Sequence, residues 1–334
     1  MTAIADDRAA TVRARSLFLQ LRAGRPTREI YRRVVDLSVV AEDLGFTSIW
    51  LATRHFGAHH AAAPTAFPIL AAVAQHTRRI RLGTAVVALP FENAVRLTED
   101  AAVTDHLVDR RLELGVGKGL GFGHSASAYS AFGLSVDDRE ALYDRRLAEL
   151  HDLLATGLVD GGVPICPSPT DIRGRVWQST GNADTARRAG AAGDGLLPHP
   201  GSEAGRTTGI EAVVGAYLET ADAATARVGV TLGVLPGVIE DLLDIDRVLS
   251  PDYYSGTTAA SDPGRFLGDA RVAHGSIDEV VTTITRTQAP ERATEWLFSV
   301  PLTLEHPAYV DTLHTIATSL APALDDAVAA VDRR

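Results

Sequence analysis

Cysteine is almost missing: Cys166 is the only one in 334 residues. A lone thiol excludes an internal disulfide framework and a CxxC zinc or redox pair. Long apolar runs are missing as well. No stretch of eighteen or more apolar residues occurs, so no membrane-spanning helix is expected. Residues 1–12 lack the basic segment followed by an apolar run that marks a secretory leader. They read as a flexible N-terminus over residues 1–11, and the expected location is cytoplasmic. Excess positive charge is absent: the formal net charge is −10, which argues against nucleic acid and anionic membrane surfaces as partners. No HExxH motif occurs. A strict GxGxxG is also lacking; a relaxed version ending at Ala126 follows the fourth candidate strand rather than the first, which weakens a dinucleotide-binding reading.

What the chain does contain is an alternation of short apolar runs with longer helical patterns. The runs Arg15–Leu21, Ser48–Leu51, Arg79–Leu89, Arg111–Val116, Arg175–Ser179, Gly195–Leu197, Arg227–Val234 and Glu295–Val300 read as buried strands. Helical spacing fills Arg28–Leu44, Pro64–Gln75, Asn93–Leu107 and Asp137–Thr156, and Gly45 supplies a helix stop. Apolar strands alternating with helices imply a parallel sheet with right-handed crossovers. Eight candidates favour a closed (β/α)₈ TIM barrel, an α/β fold, as one domain over residues 12–330. A Gly/Ser/Asp-rich stretch at about 250–274 reads as an insertion or lid late in the barrel. In such barrels function gathers just after each strand. That rule selects the segments beginning at Thr53, Gly83, Gly117, Ser179, Pro198 and Pro301.

Several segments together resemble the bacterial luciferase-like, flavin-dependent monooxygenases. Ala41-Glu42-Asp43-Leu44-Gly45-Phe46-Thr47-Ser48-Ile49-Trp50 is similar to the family's helix-to-strand passage. Thr77 to Val87 (TRRIRLGTAVV) and Arg110 to Gly119 (RRLELGVGKG) are close to two further family runs. Thr53-Arg54-His55-Phe56 stands where the family often has E-H-H-F. The likeness runs through residues 15–150 and is looser beyond, mainly at Val176–Leu197 and Ser276–Val281.

The resemblance implies an enzyme of the two-component type. Reduced FMN would come from a separate reductase and act with O₂ on a small-molecule substrate; a homodimer is the default assembly. It places a non-proline cis peptide at Ala85–Val86, with Thr84, Ala85 and Val86 supporting the flavin ring. It puts Gly117 and Lys118 beside the flavin phosphate, where the family usually has arginine. The segment Ser179-Thr180-Gly181, before a helix start, suits an anion; the plainer reading is an N-cap at Asn182 or Ser179, and the two are compatible. His55 and Arg54 are the catalytic candidates, with His55 as an acid/base or flavin-contacting group. A satisfied structural histidine stays open for His55. Arg54 replaces the first histidine of the luciferases, which counts against the light-emitting aldehyde reaction. His59, His124 and Tyr129 are candidate substrate-side residues. His55, His59 and His60 lack a cysteine or HExxH nearby, so no metal site is expected. Arg96 matches a family arginine but reads as a helix-face ion pair with Glu99 or Asp100. Two alternatives stand beside the FMN reading. One is hydride transfer with F420 on the same fold. The other is a non-catalytic flavin-binding or partner subunit, motivated by Arg54.

Overall fold

The computed structural model describes residues 13–21, 26–56, 63–119, 124–199, 201–203, 206–237, 272–287, 290–302 and 304–332. The N-terminal residues 1–11, His59, His60 and residues 250–271 of the proposed insertion lie outside them.

Eight strands make the core: β1 (Ala14–Gln20), β2 (Ser48–Ala52), β3 (Arg81–Thr84), β4 (Leu112–Gly117), β5 (Val176–Thr180), β6 (Gly195–Pro198), β7 (Gly229–Pro236) and β8 (Glu295–Ser299). Each pairs in parallel with its neighbours, and β8 lies between β7 and β1. A parallel bridge between Leu196 and Val228 joins β6 to the start of β7, with Leu196 N donating to the Arg227 carbonyl at 2.8 Å. The sheet therefore closes on itself, as the run of eight apolar segments predicts. An additional strand, Val272–Gly275, pairs with the C-terminal half of β7 on the edge away from β8. The sequence reading assigned those residues to the insertion.

Helices fill the crossovers: α1 (Thr27–Asp43), α2 (Phe67–Ala74), α3 (Ala94–Leu107), α4 (His124–Ala131), α5 (Arg139–Thr156), α6 (Ala183–Ala191), α7 (Ile210–Leu218) and α8 (Ile277–Thr287). Two more, α9 (His306–Thr315) and α10 (Ala321–Asp332), follow β8. Helix α1 buries Ile30, Val34, Leu37 and Ala41, one stripe at helical spacing, and the chain leaves it through Gly45 at φ 82°. Helix α3 starts where Asn93 Oδ1 accepts the Arg96 amide at 3.0 Å, an N-cap. On its surface Arg96 pairs with Asp100 at 2.5 Å and Glu99 at 3.5 Å, the bland role its spacing suggests.

The barrel interior is plugged by two tryptophans, one from β2 and one from β5. Trp50 and Trp177 meet edge to face, with ring centroids 5.2 Å apart. Such a contact adds about 0.5–1.5 kcal/mol beyond the area it buries. A buried indole N–H needs an acceptor. Trp50 Nε1 donates to Glu295 at 2.9 Å, and Trp177 Nε1 donates to Glu113 at 2.7 Å. Ser16 and Ser48 also donate to the Glu295 carboxylate. Arg81 pairs with Glu113, whose carboxyl burial still pushes upward. Gly83 and Gly195 leave room for the two rings; a Cβ at either would run into the facing indole. Overpacking of this kind costs about 1–3 kcal/mol. Gly83→Ala is expected to lower the unfolding free energy by that amount, seen as a lower urea midpoint at unchanged m-value; an unchanged midpoint would show that Trp50 yields freely.

Candidate active site

The predicted strand Arg79–Leu89 is not continuous. Its pairing with β4 runs through Leu82↔Leu112 and Gly83↔Glu113, then resumes at Val87↔Val116 and Ala88↔Gly117. Three residues, Thr84, Ala85 and Val86, thus stand against two, Leu114 and Gly115. That is a one-residue bulge, which bends a strand and re-aims its side chains. The Ala85–Val86 peptide within it is cis, where the resemblance puts it.

The surroundings are fitted to this bulge. Thr84 Oγ1 donates to the Gly115 carbonyl at 2.7 Å and accepts the Gly115 amide at 2.9 Å. Ala85 N reaches the Leu51 carbonyl at 2.9 Å, and Thr53 Oγ1 donates to the Val86 carbonyl at 2.6 Å. A Cβ at Gly115 would strike the Thr84 carbonyl, and one at Gly117 would come within 2.7 Å of Val86 Cγ2. Both glycines therefore answer to the bulge. Beneath it lie the two tryptophans, against which Ala85 and Val86 pack. Above it both residues stay half-exposed, while their neighbours on either side are buried. The result is a small, apolar, rigid ledge at the barrel mouth.

Next to the ledge, Gly117 pairs in register with both Ala88 and Ser179. The ends of β3, β4 and β5 thereby bring Thr84, Ala85, Val86, Gly117, Lys118, Ser179, Thr180 and Gly181 into adjoining sectors. Thr180 Oγ1 accepts the Asn182 amide at 3.0 Å, and Asn182 Oδ1 accepts the Thr185 amide at 2.9 Å. The local turn and cap that the sequence allows are both formed. They aim the start of α6 at the barrel mouth, and the first amides of a helix have no carbonyl of that helix to meet. Lys118 Nζ reaches Thr185 Oγ1 in this first turn at 3.1 Å, and Arg188 approaches the same hydroxyl at 3.4 Å. Lys118 also pairs with Glu140 of α5. A helix start with two cations beside it suits an anionic group. Neither Glu140 nor Arg188 was singled out from the sequence.

On the other side of the ledge, β2 ends in Thr53-Arg54-His55-Phe56. His55 is half-buried among aromatic rings, 5.0 Å from Phe132 and 5.4 Å from Phe91, both edge-on. Phe91 and Phe132 stack at 4.9 Å with 12° between planes. Phe56 has φ 58°, a left-handed conformation rare for a bulky residue, and its ring is 53% exposed. Arg54 is exposed, and its amide donates to the Ala63 carbonyl at 3.0 Å. Tyr129 has a different setting from the substrate wall suggested by sequence. It is 1% exposed, its hydroxyl donates to the Lys118 carbonyl at 2.6 Å, and burial pushes its pKa up to about 12. His124 opens α4, but its side chain is outside the description, as is His59. Among the described residues no cluster of His, Cys, Asp and Glu could hold a metal ion.

The residues thus form a closed parallel α/β barrel with a bulged third strand and polar residues gathered at the strand ends. The chain belongs to the luciferase-like monooxygenase family, whose model matches residues 15–305. One relative is the oxygenase component of the flavin-dependent trigonelline monooxygenase of Acinetobacter baylyi, 33% identical over 96 residues, 28% of this chain and 25% of that protein. The chain spans about half or less of the length of the curated relatives it matches. Among solved structures, the monooxygenase RslO1 of Streptomyces bottropensis superposes with a TM-score of 0.75 at 19% identity, over 93% of this chain and 99% of its own. An F420-dependent secondary alcohol dehydrogenase carrying an F420–acetone adduct reaches 0.66 at 15% identity, over 93% and 99%. At these identities the superpositions establish the fold. No helix among the described residues is long and apolar enough to cross a membrane.

Burial lowers the pKa of His55 from its ordinary 6.5. The folded protein therefore binds this proton more weakly than the unfolded chain does. The contribution of neutral His55 to stability is complete above the ordinary histidine range and is lost as pH falls through it. A histidine NMR titration is expected to place the His55 midpoint below 6.5; a midpoint above that value would mean that a carboxylate, not the aromatic cluster, governs it.

Proposed function

We propose that this protein is the oxygenating component of a two-component flavin monooxygenase. It would take reduced FMN from a separate reductase and oxidise a small organic substrate with O₂. The observation that carries this reading is the reach of Lys118 to Thr185 at the start of α6, beside the Ala85–Val86 ledge. Membership of the luciferase-like monooxygenase family supports an oxidoreductase; the use of FMN and O₂ with a separate reductase is the proposal.

The residues fit the cofactor. A flat apolar ledge whose approach is cleared by Gly117 suits an isoalloxazine ring. Lys118, Ser179, Thr180 and Gly181 would hold the phosphate at the other end. When bound, reduced FMN supplies the activation of O₂. The chain's own part is to position the ring, exclude water and handle protons. The His55 imidazole, held neutral by its aromatic neighbours, can accept a proton near neutral pH. Arg54 offers a fixed positive charge beside it. On the same reading the enzyme is a cytoplasmic homodimer. The outer face of α3 exposes Val95, Val103 and Leu107 at 39%, 46% and 54%, interleaved with the Arg96–Glu99 pair, and on this reading it is the face to be covered.

F420-dependent hydride transfer is the second reading. It is favoured by the retention of His55 directly before Phe56 and by the F420 enzymes among the relatives. The separating measurement is anaerobic titration with reduced FMN and with reduced F420. Tight FMN binding followed by consumption of O₂ supports the first reading; tight F420 binding without it supports the second; binding of neither removes both. Two variants test the roles. Lys118→Ala is expected to weaken FMN about tenfold while leaving riboflavin nearly unchanged; equal weakening would move Lys118 away from the phosphate. His55→Ala is expected to cut turnover at least about tenfold with flavin binding intact; unchanged turnover would deny it a chemical role.

A further inference from the structure

We infer that Tyr143 is a positioning residue for the phosphate seat: its ring is the floor that keeps the Lys118 ammonium beside the first turn of α6, in place before an anion arrives. The inference rests on the phosphate seat proposed above and names what holds its cation there.

Lysine is a compact charge on a flexible stem, with no planar fork to set its direction. The Lys118 side chain is nevertheless only 10% exposed. Three groups surround its ammonium: the Glu140 carboxylate, Thr185 Oγ1 at 3.1 Å, and the Tyr143 ring, whose centroid lies 5.7 Å away. Glu140 is half-exposed and also meets Arg139, and Arg188 approaches the Thr185 hydroxyl. The ring differs from both. It is fully buried on α5, and an aromatic face attracts an ammonium within about 6 Å of its centroid.

The ring is itself held by a buried polar chain. Tyr143 Oη donates to Gln178 Oε1 at 3.0 Å, and Gln178 Nε2 donates to Asp194 Oδ2 at 2.7 Å. Asp194, also fully buried, is met by Arg173 at 2.7 Å and by His151 at 2.9 Å. The chain has one direction. Burial holds the Tyr143 phenol above its ordinary range, so the hydroxyl keeps its proton and donates. Gln178 must then turn its oxygen to Tyr143 and its N–H to the carboxylate. Gln178 directly precedes Ser179 and Thr180 on β5. The floor under Lys118 is thereby fixed to the same strand that carries the turn before α6. A cation set in this way needs no ordering when the anion binds. Without the floor, binding has to re-order one long side chain, which weakens it about two- to tenfold.

The test measures anaerobic binding of reduced FMN and reduced riboflavin to the intact protein; their affinity ratio reads the seat alone. Circular dichroism checks each variant's fold. Tyr143→Phe keeps the ring and is expected to keep the ratio, although the protein is less stable because Gln178 Oε1 loses its donor. Tyr143→Leu is expected to lower the ratio about two- to tenfold with riboflavin unaffected. Should that variant not fold, a pentafluorophenyl ring at the same position keeps the shape, removes the negative face and is expected to lower the ratio likewise. An equal loss in Tyr143→Phe would trace the effect to the packing of α5 and overturn the inference. If the ratio survives loss of the ring or of its negative face while Lys118→Ala abolishes it, the seat stands and the floor role falls. If Lys118→Ala leaves the ratio as it was, the seat is elsewhere and the inference falls with it.

Discussion

The edge-to-face contact of Trp50 and Trp177 is the constraint from which the upper half of the barrel follows. Two indoles can share the lumen only if the facing strands retreat, which they do through Gly83 and Gly195. They can be buried only if both N–H groups are met, which Glu295 and Glu113 provide. Those carboxylates in turn demand their own donors in Ser16, Ser48 and Arg81. Seven of the eight strands thus contribute to one plug: β1, β2, β3, β4, β5, β6 and β8. The plug gives the Ala85–Val86 ledge something hard to rest on.

Above that floor the work is divided by strand end. The turns after β3, β4 and β5 bring together backbone, small side chains and one lysine whose side chain is 10% exposed. The turn after β2 meets the aromatic residues Phe91 and Phe132 and holds His55. The first set is rigid, being hydrogen-bonded into the sheet. The second is a cluster of rings around a single proton-bearing group, with Phe56 and Phe132 open to solvent. A fixed seat beside an adjustable wall is a sensible arrangement for a barrel that keeps one cofactor and varies its substrate.

The strands were legible because parallel strands are buried on both faces and read as plain apolar runs. The same plainness hid the bulge: Ala85 and Val86 have the composition of the strand they interrupt, and only the family likeness marked the spot. Local chemistry was legible where it is truly local, as at the Asn182 cap. Glu140 was not, because it meets Lys118 across 22 residues and two elements. Tyr129 was assigned by its nearness to the glycine loop; its burial depends on the tertiary packing of Phe91, 4.7 Å away. The strand Val272–Gly275 was obscured by its glycine- and aspartate-rich approach, and it exists because β7 offers it a free edge.

Lys118 is tied at both of its ends. Its ammonium belongs to the start of α6, while its carbonyl receives the Tyr129 hydroxyl, whose ring lies against Phe91 and, through it, His55. A single residue is thereby shared between the start of α6 and the aromatic wall around His55. Any shift of that backbone is therefore felt on both sides, at the helix start and in the ring cluster.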